Sequence, residues 1–569
     1  MTQPPAKILT IGLDGATFDL MLPWIDEGRL PHLGRLLGEG AWSPLASTIP
    51  PITPCAWSSF MTGKNPGKHG LFDFVEPVPG QHTFRFTNAS ARKAESLWKI
   101  LGRHDRRVGV VNVPMTYPPE SVNGYMLSGL DTPHEKSVYS FPAELRAELE
   151  AGGISYRVDL RHLGDMCTDR RRDRRLMDMR EMESIRTDAV RYLRRTCPVD
   201  FNMVVYIAID QVQHHFWHYM DPEHDKFDAA GAAKYGTAIR DMYAHIDGQV
   251  GRLLDNVDDE TMVIVMSDHG FGPTRNTRLR LNQALAHKRL LAFVAEGGSQ
   301  RRWRVVAGLV DHCLRSNLGP GMKARLAAMF PRLRQWLEVA DEAPIDWSRT
   351  LAFANEVYRA SPAIWLNRRD RVPDGVIDSD EKLHAALAEV EAALGRLKDP
   401  QTGAPVMQQV YRTRDLYHGP YVANAPDLLP SWWLDGFLLE QSRPDGGWDA
   451  AVEHSTAPVS GGKEFSGSHR LDGVFIVHGG PARAGHAFTG ARIIDVAPTT
   501  LYLMGLAIPD DMDGEILRDA IDPDYVSAHP PRYEPAGQGG EPPSGETPSM
   551  SAEEEQLLAR RLQALGYIE

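Results

Sequence analysis

Three short apolar runs in this chain lead into an aspartate. KILTIGL is followed by Asp14, MVVYIAI by Asp210, and MVIVMS by Asp268 with His269 directly after it. Runs rich in Val, Ile and Met that do not alternate predict strands buried on both faces, as in a parallel sheet. The carboxyl ends of such strands open on one crevice, where ligands bind. One aspartate there is unremarkable, since it can cap the helix that follows. Three carboxylates in one crevice repel one another unless a cation balances them. Nearby histidines supply the rest of a metal-type donor set. In DQVQH, Asp210 and His214 are four apart, so on the first turn of a helix both side chains share one side. Asp268 and His269 adjoin at a strand-to-loop turn. Asp and His together suit zinc first and manganese second. His215 and His218, in the same QHHFWHYMD stretch, read as structural or supporting groups.

A nucleophile is the other requirement. Residues 47–70 read STIPPITPCAWSSFMTGKNPGKHG, proline-rich at first and helical around Ala56–Thr62. Thr53 stands just before Pro54 where that helix should begin. A helix N-terminus favours an anion, whether an alkoxide or the phosphate it attacks. Taken alone, Thr53 reads first as a plain N-cap hydroxyl. Ser58, Ser59 and Thr62 are competing hydroxyls, but they fall inside the helix, where local backbone bonds are expected.

The elements that would position these groups alternate between strand and helix. Strands are predicted at Lys7–Leu13, Val108–Val113, Met203–Ile209, Met262–Ser267 and Val474–Val477, with helices such as Asp169–Arg195 and Ala229–Leu254 between them. That rhythm predicts an α/β fold whose mostly parallel sheet is flanked by helices. It is interrupted over about 273–460, which reads as an inserted cap. Basic helical stretches are expected there at Gln300–Val310 and Gly321–Ala340, most simply as solvated faces, with an extended piece at Ser361–Leu366 and a helix at Ser379–Leu397. Residues 530–550 are rich in Pro, Gly, Ser and Glu and read as a flexible linker. A short helix should follow over 551–569, opened by a capping box of Ser551 and Glu554. Its apolar face, Leu557, Leu558, Leu562 and Leu565, is expected to dock back onto the body. The body itself would comprise 1–272 and 461–529.

Composition removes several classes of function. The chain has 569 residues, 42% hydrophobic and 24% charged, with a net charge of −13. Acidity over most of the surface argues against nucleic-acid binding. The four cysteines, Cys55, Cys167, Cys197 and Cys313, lie far apart, which argues against a disulfide framework or a Cys-type zinc site and for reduced, mostly buried thiols. The N-terminus lacks the apolar core of a signal peptide, and no apolar run is long enough for a membrane span, so the expected location is the cytoplasm.

The motifs GLDGATFD, TPCAWSSFMTGKNPGKHGLFDF, DQVQHHFWHYMDP, MSDHGFGP, GSHRLDGVFIVHGG and IIDVAPTTLYLMGLAIPDDMDG, taken as a set, resemble the alkaline phosphatase superfamily. Within it they are similar to the type I phosphodiesterase / nucleotide pyrophosphatase branch, and most of all to the group described as predicted phosphohydrolases or phosphomutases. The resemblance covers most of the chain and implies an alkaline-phosphatase-like core with two divalent ions. One ion would be held by Asp14, Asp268 and His269 with the Thr53 oxygen, the other by Asp210, His214 and His469. His469, from GSH, comes from the resemblance alone. The family's nucleophile falls on Thr53, four residues before Trp57. The implied chemistry is phosphate-ester cleavage, a phosphodiesterase before a phosphatase, through a phosphothreonine intermediate. A phosphomutase on the same scaffold is the alternative, and a non-catalytic binding protein a more distant one.

One departure bears on substrate. The nucleotide pyrophosphatases carry an asparagine a few residues after His69-Gly70, where this chain has Phe74. That removes a donor to the phosphate and argues against a nucleotide. Lys64, Asn65 or Lys68 are candidates to supply that charge or hydrogen bond instead. The expected substrate is a phosphorylated small molecule, or a lipid-like or glycan-like phosphate ester; the sequence does not fix the oligomeric state. The loop Thr53-Pro54-Cys55-Ala56-Trp57 lacks the modified-nucleophile motif of sulfatases.

Overall fold

A computed structural model describes residues 7–158, 160–161, 166, 168–255, 257–258, 260–294, 344–356, 362–442, 451–454, 465–537 and 550–565. Its centre is a ten-stranded sheet. Five neighbouring strands run parallel in the order Thr261–Met266, Lys7–Leu13, Phe201–Tyr206, Val108–Val111 and Gly124–Leu127. Their residues are almost all buried, which is why they read as continuous apolar runs. Helices flank the sheet, as the alternation predicts. The register brings Leu13 level with Tyr206, and Gly12 level with Met266. The chain therefore leaves all three strands at the same edge of the sheet.

Several elements differ from expectation. Strand Asp472–His478 is antiparallel to both of its neighbours, Thr261–Met266 and Ala41–Ala46. A strand covered on both faces carries no mark of its direction, so its apolar run reads the same either way. The strand expected to reach Ile209 stops at Tyr206, because a helix, Ala208–Met220, starts there. Asp210 thus lies in the first turn of this helix, as its spacing to His214 predicts, and not directly at the strand end. The single helix expected over Ala229–Leu254 is two, Ala229–Tyr235 and Ala238–Leu254, broken around Gly236.

Within the expected cap, residues from Leu279 to Val452 form a second apolar cluster that also takes in Ile52 and Cys55 of the candidate nucleophile loop. It includes strand Ile364–Leu366 and helix Asp380–Leu394. The two basic stretches, Gln300–Val310 and Gly321–Ala340, lie outside the described residues. The expected linker is not wholly free, since Tyr533–Glu534 pairs with Ile508–Pro509. The last helix, Ala552–Leu565, opens on the Ser551–Glu554 capping box. It buries Leu558, Leu562 and Leu565 in the main core, while the Arg561 guanidinium donates to the carbonyls of Thr132 and Val158. Cys55 and Cys197 are free thiols; Cys167 and Cys313 lie outside the described residues. No helix among the described residues is long and apolar enough to cross a membrane.

Candidate metal centre

Each ligand-type side chain is placed by a local device. Gly15 follows Asp14 at φ +69°, a conformation that glycine adopts without strain, and a Cβ there would lie 3.1 Å from that of Asp210. Trp57 reaches back from its helix and donates from Nε1 to Asp14 Oδ2 at 3.3 Å. Asp210 is presented by a helix whose first turn is anchored by Glu183: one carboxylate oxygen accepts from the backbone N–H groups of Ile207 and Ala208 at 2.9 and 2.8 Å. His469 arrives on strand Gly467–Arg470, which pairs with Gly270–Pro273 just after His269. In GSH the glycine is a packing requirement, since a Cβ at Gly467 would meet the Gln213 carbonyl oxygen at 2.5 Å.

Seven side chains meet in the crevice: Asp14, Thr53, Asp210, His214, Asp268, His269 and His469. All are buried. One atom each of Asp210, His214 and His469 lie within 4.8 Å of one another, as do atoms of Asp14, Asp210 and His269. Asp268 joins through His269, whose Nε2 is 3.3 Å from Asp268 Oδ2 and 3.7 Å from Asp14 Oδ1. The sequence reading places Asp210 with one group; in space it borders both.

The three histidines share one arrangement. His214 Nδ1 is 3.0 Å from the Gly467 carbonyl, His269 Nδ1 is 3.1 Å from that of Gly270, and His469 Nδ1 is 2.9 Å from that of Pro51. A carbonyl only accepts, so each Nδ1 carries the proton and each Nε2 is left with a lone pair. All three Nε2 atoms point inward. Those of His214 and His469 face each other at 3.2 Å. Neither oxygen of Asp210, nor Oδ2 of Asp268, has a hydrogen-bond partner among the described residues. Burial, with the charge of Asp210, pushes Asp268 well above its ordinary value. Burial and the neighbouring His469 keep His269 far below the usual imidazole range, and burial lowers His469 too. Inward lone pairs beside unsatisfied carboxylates describe a receptor for cations.

Thr53 is the first residue of helix Thr53–Thr62, so it is not the N-cap, and Ile52 before it offers no side-chain cap. Its Oγ1 lies 3.4 Å from His269 Nε2. Of the competing hydroxyls, Thr62 donates to the Ser58 carbonyl, as expected inside a helix, while Ser59 bonds the His69 ring at 2.9 Å. His215 and His218 are buried beside the centre, against Phe465 and Tyr219 respectively.

Lys64, Asn65 and Lys68 have carboxylate partners of their own. Lys64 pairs with Asp511, and Lys68 pairs with Asp513 at 2.6 Å. Asn65 donates to Asp513 from both its backbone and its side-chain nitrogen, at 2.8 and 2.9 Å. Phe74 is buried in the main core.

Sequence reasoning missed Glu183, which anchors the Asp210 helix, and the carbonyls of Pro51, Gly270 and Gly467, which orient the rings. A backbone carbonyl leaves no trace in residue type. Glu183 had only a faint signal, being one of six carboxylates in a helix crowded with arginines.

Comparison with known proteins bears on this geometry. A family model described as type I phosphodiesterase / nucleotide pyrophosphatase matches residues 8–392, a span that includes six of the seven residues and stops before His469. Among solved structures, phosphonoacetate hydrolase from Sinorhizobium meliloti, in complex with phosphonoformate, superposes with a TM-score of 0.50 at 13% identity, covering 87% of this chain and 94% of that one. Human ectonucleotide pyrophosphatase / phosphodiesterase 5 gives 0.49 at 14% identity, covering 90% and 99%. The hydrolase match shows a shared alkaline-phosphatase-like fold. No curated protein matches the sequence.

Proposed function

The chain belongs to the type I phosphodiesterase / nucleotide pyrophosphatase family, metal-dependent hydrolases of phosphoester bonds, and from that premise we propose that it cleaves phosphodiesters with Thr53 as nucleophile. The observation that carries the reading is the shared orientation of His214, His269 and His469, each with Nδ1 against a backbone carbonyl and Nε2 turned toward unsatisfied carboxylates. Asp210, His214 and His469 would hold one divalent ion. Asp14, Asp268 and His269, with Thr53 Oγ1, would hold the other. Zinc suits this donor set best and manganese next. When bound, such ions neutralise charge on phosphoryl oxygens and make a hydroxyl easier to deprotonate.

The chain's own groups do the rest. The start of the Thr53–Thr62 helix directs backbone N–H groups and the positive end of its dipole toward an incoming phosphate. Thr53 Oγ1 gives up its proton and bonds to phosphorus, and the bond to one ester oxygen breaks, releasing an alcohol. The phosphothreonine left behind is attacked by water, which frees a phosphate monoester and restores Thr53. We read 1–272 and 461–529 as the body doing this chemistry, and 273–460 as a cap shaping substrate access. The substrate is a phosphate ester of a small molecule, lipid-like or glycan-like; Phe74 argues against a nucleotide. A cytoplasmic location accords with these readings.

The test is turnover of 4-nitrophenyl monoesters and diesters by protein loaded with Zn²⁺ or Mn²⁺. We expect the diester to be preferred, and Thr53→Ala to lower its turnover by roughly a thousandfold or more while keeping its metal. Wild-type-like turnover by Thr53→Ala contradicts the nucleophile. Monoester preference contradicts the diesterase reading, and a fully loaded protein inert to both contradicts simple hydrolysis in favour of a mutase.

A further inference from the structure

A cavity of about 420 Å³ lies between the 70–93 segment of the body and the 353–429 part of the cap. Its size falls in the range of small-molecule pockets. Phe72, Phe84, Trp365 and Tyr417 supply aromatic surface. Phe72 stacks on Tyr417 with ring centres 5.7 Å apart, and Phe84 meets Trp365 edge to face at 5.6 Å. The lining also holds four carboxylates: Glu76 pairs with Arg85, Asp370 with Arg368, Glu555 lies on the last helix, and next to Phe72 stands Asp73. Its Oδ1 accepts from the Phe74 backbone N–H at 2.6 Å, and it forms no ion pair among the described residues. Of the arginines of the lining, Arg85 pairs with Glu76 of the same lining and Arg371 with Asp427. Burial pushes Asp73 up to about 7, as expected of a carboxyl in aromatic surroundings.

The cavity lies apart from the metal-type residues. Thr53 and Cys55 are two residues apart on one helix, about 200° around its axis, so they face opposite sides. Thr53 faces His269, whereas Cys55 packs in the cluster that holds Phe353 and Trp365. Pro50 forms part of the cavity wall, and the Tyr417 hydroxyl donates to the Ile49 carbonyl behind it.

We propose that this cavity is a second small-molecule site, separate from the metal centre, for an aromatic compound carrying an O–H or N–H that donates to Asp73. The rings offer stacking and edge contacts to a planar guest, and Asp73, which has no ion pair among the described residues, accepts from its donor. The inference does not depend on the phosphodiesterase reading.

Calorimetric titration of the full chain with 2-naphthol, and with naphthalene as the ring without a donor, tests it. Saturable 1:1 binding of 2-naphthol is expected, with naphthalene roughly tenfold weaker. Trp365→Ala should weaken 2-naphthol by roughly tenfold or more. The shape-conserving Asp73→Asn should narrow the gap between the two ligands. Affinity should be unchanged in Thr53→Ala and after treatment with a chelator. Absence of saturable binding, equal affinity for both ligands, indifference to both cavity variants, or loss of binding in Thr53→Ala or on chelation would each overturn the proposal.

Discussion

Asp427 and Asp210 are both buried carboxylates, balanced in different ways. Asp427 sits in the cap region between Arg368, 3.1 Å from its Oδ1, and Arg371 on its Oδ2, with the Leu366 N–H donating to it as well. Asp513, near the turn at Lys64–Lys68, is likewise surrounded by Lys68, Asn65 and His418. Asp210 has no arginine or lysine partner among the described residues; two histidine rings face it through lone pairs. Where the chain supplies its own cations, a buried carboxylate holds the fold together. Where it supplies neutral imidazoles turned the wrong way for a hydrogen bond, the balancing charge must come from outside.

Substitutions at the two kinds of carboxylate should therefore separate activity from stability. The largest effect is expected from Asp210→Ala, which borders both ligand groups: phosphoester turnover should fall roughly a thousandfold or more. Thermal unfolding of the metal-free protein should be unchanged or improved, because a buried repulsion is relieved. A metal-free variant clearly less stable than metal-free wild type would break the comparison. His469→Ala should release one ion and leave the other, as read by elemental analysis; loss of both ions, or of neither, goes against the partition.

Asp427→Ala should do the reverse. It strands two guanidinium groups and should cost about 3 kcal/mol in denaturant unfolding while metal content holds. Asp513→Asn is the smallest, roughly 1 kcal/mol at neutral pH, since the site is only half enclosed. Burial works against the Asp513 carboxyl, but its hydrogen bonds hold it down at about 2. A carboxyl depressed in the folded state contributes stability above its unfolded value near 4, and that stability is lost as pH falls toward 2. The gap between wild type and Asp513→Asn should close over that window, and a gap constant down to pH 2 would place its origin elsewhere.

Much of the centre could be read from residue order, because parallel strands deliver their ends to one edge and an i, i+4 pair needs only a helix. Asp14, Asp210, His214, Asp268 and His269 were accessible in this way. His469 lies about 200 residues beyond His269 and is brought in by a two-strand pairing that spacing does not encode, so only the family resemblance pointed to it. Lys64 and Lys68 look like free charge in sequence, because Asp511 and Asp513 are more than 440 residues away. The direction of Asp472–His478 and the break at Gly236 were illegible for a related reason. Burial on both faces erases strand polarity, and a helical period can persist across a turn.

Metal content bears most directly on the claim that this Asp–His cluster is a cation receptor. Protein purified without chelator, dialysed against metal-free buffer and analysed for zinc and manganese should hold about two divalent ions per chain. A chain that retains none, and takes up none when either metal is supplied, would contradict the account.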